Sequence, residues 1–156
     1  VVYGPVAHAR GTVDLRLRRH PDDRRRVIAT PDDGLASLTR YERLAEADVC
    51  GCPVALMRCQ LVTGRMHQVR VHMAASGWPL VGDPKYGEPR WARATEESAR
   101  EALRQFPRQA LHAWRVGFVH PFTNERIDLE APLPDDLRRL LQVCGLPADG
   151  TSSRPS

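Results

Sequence analysis

The stretch from Leu61 to Gly87, LVTGRMHQVRVHMAASGWPLVGDPKYG, constrains the fold more than any other part of the chain. It reads as the end of a strand, a tight turn, a helix, a stop, a short strand and a loop. Upstream of it, Leu56, Arg58 and Gln60 alternate with Met57, Cys59 and Leu61, the pattern of a strand covered mainly on one face. Thr63-Gly64-Arg65 breaks that strand. Residues 67–75 have helical composition, and Ser76-Gly77 followed by Pro79 stops the helix. His67, Arg70, Val71 and Ala74 fall on neighbouring ridges of the helix, with Val69 and Met73 as an apolar pair. Arg65, His67, Gln68 and Arg70 therefore crowd the first helical turn, where cations oppose the helix dipole. A solvated basic turn would explain this. So would a pocket that receives an anion.

Bulk properties narrow the classes. The 156 residues are enough for one domain and one core. No apolar run reaches transmembrane length, and no charged-then-apolar leader opens the sequence, so no membrane partner is expected. Cys50, Cys52, Cys59 and Cys144 are not spaced as a disulfide framework, which favours a reducing cytoplasm. A metal site would join Cys50, Cys52, Cys59 and His67, but C-x-C is poor zinc spacing and no second paired motif follows. No metal is expected. A net charge of +4 makes an anionic partner plausible without selecting one.

Along the chain, residues 12–17 form a half-buried strand that leads into the densest cationic run: Arg16, Arg18, Arg19, His20, Arg24, Arg25 and Arg26, broken by Pro21-Asp22-Asp23. Such runs are commonly solvated hairpins. Arginine forks also suit phosphate oxygens. Residues 37–45 read as a strand near a sheet edge, paired antiparallel with residues 54–62 across a turn at 48–53. A helix is expected over 95–105 with Thr95 as N-cap. Residues 110–119 read as a strand whose core face carries His112, Trp114, Val116 and Phe118, with His112 a hydrogen-bonded core histidine. Residues 126–130 pair back on it, and a closing helix starts at Pro134-Asp135-Asp136 with Leu137, Leu140 and Leu141 on one side. Residues 147–156 read as a disordered tail.

TGRMHQVRVHMAASGWPLVGDPKYG resembles the signature stretch TGRTHQIRVHLaxxGxPxxGDxxYG of the RluA-type pseudouridine synthases. Residues 108–114 (RQALHAW), 118–121 (FVHP) and 131–134 (APLP) resemble the family's later segments, and Gly4-Pro5 with residues 11–14 (GTVD) an earlier one. The resemblance runs from residue 1 to about residue 141. It implies an α+β fold, a mixed, mainly antiparallel sheet with a few flanking helices, with residues 1–146 forming part of a catalytic domain. It also implies conversion of uridine to pseudouridine in ribosomal or transfer RNA, without cofactor or metal, by a protein that is monomeric when complete. The family's catalytic aspartate lies in an HRLDxxTSG stretch, which these 156 residues do not contain. The chain is therefore expected to be a fragment, inactive alone, or else an RNA-binding remnant that has lost its chemistry.

By match of position, the resemblance makes Arg70 the partner of that aspartate, whose pKa an adjacent arginine would lower. Arg65 and His67 would bind phosphate or hold the turn, and Gln68 would hydrogen-bond structurally or to RNA. Arg18, Arg19, Arg24, Arg25 and Arg26 would contact the RNA backbone. Leu80 and Val81 would wall the uracil, and Lys85 and Tyr86 would face RNA or close their loop. Asp83 is assigned to a structural turn rather than to chemistry. Met66 stands where the family usually has Thr, and loss of a capping Thr would cost about 1 kcal/mol.

A partial sheet leaves an open edge and an uncovered apolar face. The isolated chain is expected to be poorly soluble. A sharp, cooperative melt of a soluble monomer, followed by circular dichroism, would contradict this.

Overall fold

The computed structural model describes residues 1–148. Five strands form one antiparallel sheet: β1 (Val2–Tyr3), β2 (Arg10–Arg19), β3 (Val27–Thr30), β4 (Leu35–Val49) and β5 (Cys52–Leu61), in the order β1-β5-β4-β2-β3. Helix α1 (Gln68–Ala75) follows β5, as the turn and stop residues around it predict. Two further helices, α2 (Glu97–Arg104) and α3 (Asp135–Val143), flank the sheet, and α3 buries Leu137, Leu140 and Leu141 as expected. A separate ribbon pairs β6 (Arg115–Val119) with β7 (Arg126–Glu130). The architecture is the α+β type with a mainly antiparallel sheet.

β4 is not near an edge; it is the middle strand of the five. Its alternation misleads because a bulge falls between Arg43, opposite Met57, and Ala45, opposite Leu56. The extra residue, Leu44, shifts the period by one. Before the bulge the buried side is Ser37, Thr39 and Tyr41; after it Leu44, Ala45 and Val49 are buried. Two of those buried residues are polar, so an apolar-alternation reading chooses the wrong face.

β5 is covered on both faces over its first half. Ala55 belongs to a core with Val2, Val13, Tyr41 and Met73 beneath α1, while Val54 and Leu56 belong to a second core with Leu103 of α2 and Leu140 and Leu141 of α3. The expected one-sided alternation holds only further on, where Arg58 and Gln60 are exposed and Met57 and Cys59 half-buried. β1 reaches only Val54 and Ala55, so beyond Leu56 one edge of β5 pairs with no strand among the described residues.

Two expectations fail locally. Thr95 does not cap α2; its hydroxyl donates to the Cys50 carbonyl, and the Glu96 carboxylate caps the helix through the Ser98 and Ala99 amides. Residues 110–114 are not strand, and the expected core face of β6 is not core: Trp114, Val116 and Phe118 are exposed. Period-2 alternation reports a face able to be covered, not one that is. His112 is half-buried, its Nε2 3.0 Å from the Ala131 carbonyl oxygen. The expected tail, from residue 149 on, lies outside the described residues.

Leu141 has no accessible surface and joins α3 to both α2 and β5. In the complete gene product, Leu141→Ala should lower the unfolding free energy by about 2–5 kcal/mol, measured by urea denaturation.

Candidate active site at the start of the first helix

The turn between β5 and α1 is tied to the middle strand by one side chain. Gln68 Nε2 donates to the Leu38 carbonyl and to Thr39 Oγ1, both at 3.0 Å. Its Oε1 accepts from the Arg65 amide at 3.0 Å and from Thr63 Oγ1 at 2.9 Å. Thr63 Oγ1 in turn accepts from the Leu38 amide. Both donors and both acceptor sites of Gln68 are satisfied inside the protein, and the residue is 2% exposed. Contact between Gln68 and RNA is thereby corrected: Gln68 fixes the turn. Its partners on β4 lie about thirty residues upstream, which local spacing cannot show.

Fixed in this way, the chain passes through His67 at φ 56°, in the left-handed region, where histidine is more common than most residues. Helix α1 therefore begins at Gln68 rather than His67, without a side-chain cap, and Met66 beside it is exposed. His67 Nδ1 lies 2.9 Å from the Tyr86 hydroxyl. That hydroxyl accepts the Val27 amide at 2.9 Å, which leaves its own proton for Nδ1 of a neutral His67. Burial, then the nearby Arg70 and Lys85 cations, hold the His67 pKa below its ordinary value.

Arg70 meets its acid within this chain. Its Nε donates to Asp83 Oδ2 at 2.8 Å and its Nη2 to Asp83 Oδ1 at 2.6 Å, a bidentate fork. Asp83 Oδ1 also accepts the amides of Lys85 at 2.9 Å and Tyr86 at 3.1 Å. Burial pushes the Asp83 pKa up, but the Arg70 fork and the two amides outweigh it, and the carboxyl is held below its usual range. The structural turn role expected of Asp83 is what its contacts describe. The loop fits because Gly82 takes φ 67°, and because a Cβ on Gly87 would strike the Asp83 carbonyl. Arg70 Nη1 donates to no acceptor among the described residues, and the side chain keeps 11% of its surface.

The loop then reaches the arginine hairpin. Lys85 Nζ donates to the Arg25 carbonyl and Arg26 Nη2 to the Lys85 carbonyl, both at 3.2 Å. The Arg26 and Arg70 guanidinium carbons lie 5.8 and 5.1 Å from the centre of the Tyr86 ring. The structure thus joins Arg26, His67, Arg70, Lys85 and Tyr86 by direct contacts, with Arg65 exposed in the turn and Arg25 exposed on the hairpin. Arg24 and Arg19 are exposed on the same hairpin, while Arg18 pairs with Asp33 at 3.1 Å. Leu80 and Val81 do not join this group. They are 2% and 0% exposed and pack into the two cores, so the wall role expected for them is corrected for this chain.

Comparison with known proteins places this sheet, helix and buried arginine fork beside the pseudouridine synthases. The RNA pseudouridylate synthase family model matches residues 4–75. An RNA pseudouridine synthase of Bacillus subtilis, itself uncharacterized, is 41% identical over 142 residues, 91% of this chain and 41% of its own length. The ribosomal large subunit pseudouridine synthase D of Xanthomonas campestris is 43% identical over 92% of this chain and 42% of its own length. Human RNA pseudouridylate synthase domain containing 1 superposes with a TM-score of 0.68 at 28% identity, over 91% of this chain and 55% of that one. The chain is thus similar to RNA pseudouridine synthases over nearly all of its residues, and it spans about two fifths of the length of the curated relatives it matches.

Asp83→Asn would leave the buried Arg70 cation without its counter-charge. A cost of about 3–5 kcal/mol is expected, measured by chemical denaturation. The pH dependence has a definite sign. A carboxyl depressed on folding stabilises above its unfolded pKa, about 3.9, and loses that contribution as pH falls through the lower folded value. Asp83→Asn should therefore flatten the acid limb of the stability curve below about pH 4.

Proposed function

We propose that this chain is the arginine-supplying, RNA-gripping part of an RNA pseudouridine synthase. The complete protein would isomerise uridine in structured RNA. Ribosomal RNA of the large subunit is the first candidate, since relatives carry that substrate in their names, and transfer RNA is the other. The reaction breaks the bond from ribose C1′ to uracil N1, turns the base, and joins C1′ to C5. The C5 proton leaves and N1 gains one, so nothing is oxidised and no co-reactant enters. The target base must first leave its stack.

The observation that carries this reading is the Arg70 fork. Asp83 holds two of its nitrogens, and Nη1 is left without an acceptor among the described residues. A second carboxylate placed there, from an HRLD-type segment elsewhere in the complete protein, would be kept ionised by that cation. Arg70 then acts by electrostatics and orientation. The exposed Arg24, Arg25 and Arg26, with Lys85 and Arg65, would hold phosphates, whose affinity is set by charge count and salt. Neutral His67 offers its Nε2 proton to an RNA oxygen while Tyr86 fixes its ring.

The test counts pseudouridine formed in bulk ribosomal RNA by the complete gene product. Arg70→Ala and Arg70→Lys should each lower the rate by about 10²-fold or more, with chemical denaturation of each variant separating lost packing from lost chemistry. Full activity in Arg70→Lys would contradict the reading. Replacing Arg24, Arg25 and Arg26 by Ala should weaken RNA binding. The slope of log affinity against log salt should become shallower by about 0.7–0.9 for each phosphate no longer neutralised.

A further inference from the structure

A groove of about 260 Å³ lies between α1 and the edge strand β3 and has no role in the reaction described above. Val71, Ala74 and Ala75 line it from the helix, and Val27, Ile28 and Ala29 from the strand. Tyr86 and Arg26 close one end. It falls short of the roughly 300–1,000 Å³ of pockets for drug-sized ligands. It is a shallow, mostly apolar depression, a surface on which a flat ring can lie.

One wall also carries an open backbone edge. The His20 amide donates to the Arg26 carbonyl, and the Val27 amide turns the other way, to Tyr86. Alternation in an antiparallel ladder then turns the amide and carbonyl of Ala29 outward as well. No strand lies beyond β3 among the described residues. Ala29 thus offers a donor and an acceptor side by side, which suits the alternating polar edge of a nucleobase.

The mouth of the groove is cationic. Arg26 lines it and donates to the Lys85 carbonyl, and the exposed Arg24 and Arg25 precede it on the hairpin with Asp22 and Asp23, where Asp23 Oδ1 is engaged by the Arg25 amide. Lys85 and Arg26 are already fastened to each other's loops. The planar Arg26 guanidinium is a surface on which a base can stack. A small apolar slot, a free polar edge and a fixed set of cations together describe a site for a ring that carries a phosphate.

We propose that this groove holds one extruded RNA base, a neighbour of the target uridine, with its phosphate on Arg26 and Lys85. This rests on the synthase reading above and adds a second base-binding position to it. Holding a neighbouring base would keep the strand open while the uridine is turned, and would contribute to the choice of site.

The test uses the complete gene product and large-subunit ribosomal RNA transcribed with 4-thiouridine. After irradiation, cross-linked peptides are identified by mass. Cross-links should fall within residues 27–29 or 71–75. They should drop about tenfold in Ala74→Trp, which fills the slot without touching a charge, and KM for RNA should rise about tenfold. Should Ala74→Trp fail to fold, Ala75→Phe, at a more exposed position, serves instead. Cross-links confined to residues 65–67 with KM unchanged would overturn the proposal and leave the groove to a protein strand. Groove cross-links without any pseudouridine formed would defeat the synthase reading and keep the groove. Pseudouridine formed without groove cross-links would do the reverse.

Discussion

Burying a guanidinium and a carboxylate together removes both from water, a penalty of several kcal/mol per ion that only close, well-aligned contact offsets. Arg70 and Asp83 meet that condition with a two-bond fork and two further amides on the carboxylate. The pair joins α1 to the loop at 83–87 across thirteen residues of sequence. That loop orients Tyr86 toward His67 and β3, and Lys85 toward the arginine hairpin. The fork and these contacts together make one surface of the helix start, the loop and the hairpin.

The fork has a second partner in rigidity. Gln68 sits two residues before Arg70 and, in a buried setting, makes two hydrogen bonds to the middle strand and two within the turn. Buried polar networks contribute when every member is satisfied, and this one is. The left-handed His67 between turn and helix is held by that network on one side and by Tyr86 on the other. Strain of this sort persists where the surroundings over-determine it and collects at functional positions.

Much of this was legible in the sequence, and the misses share a cause. The turn, the helix and its stop, the antiparallel pairing of β4 with β5, the arginine hairpin and α3 all follow from short-range pattern. The misplaced features depend on distant partners. Ser37 and Thr39 look like solvent-facing residues until Gln68 is seen to meet the strand they lie on. Leu44 looks like part of a regular alternation until the bulge is seen. Leu80 and Val81 read as a binding wall by match of position with the family, yet they pack into two different cores. Trp114, Val116 and Phe118 have the alternation of a core strand and stand exposed on a ribbon. A sequence period shows which residues share a face; what covers that face is decided elsewhere in the fold.

The central claim is that Arg70, already fixed by Asp83, presents its remaining nitrogen to a second carboxylate. A crystal structure of the complete gene product tests it most directly. An aspartate oxygen from outside these 156 residues is expected about 2.7–2.9 Å from Arg70 Nη1, with the Asp83 fork intact. An Arg70 bonded to Asp83 alone, with its Nη1 edge packed against apolar side chains, would contradict it.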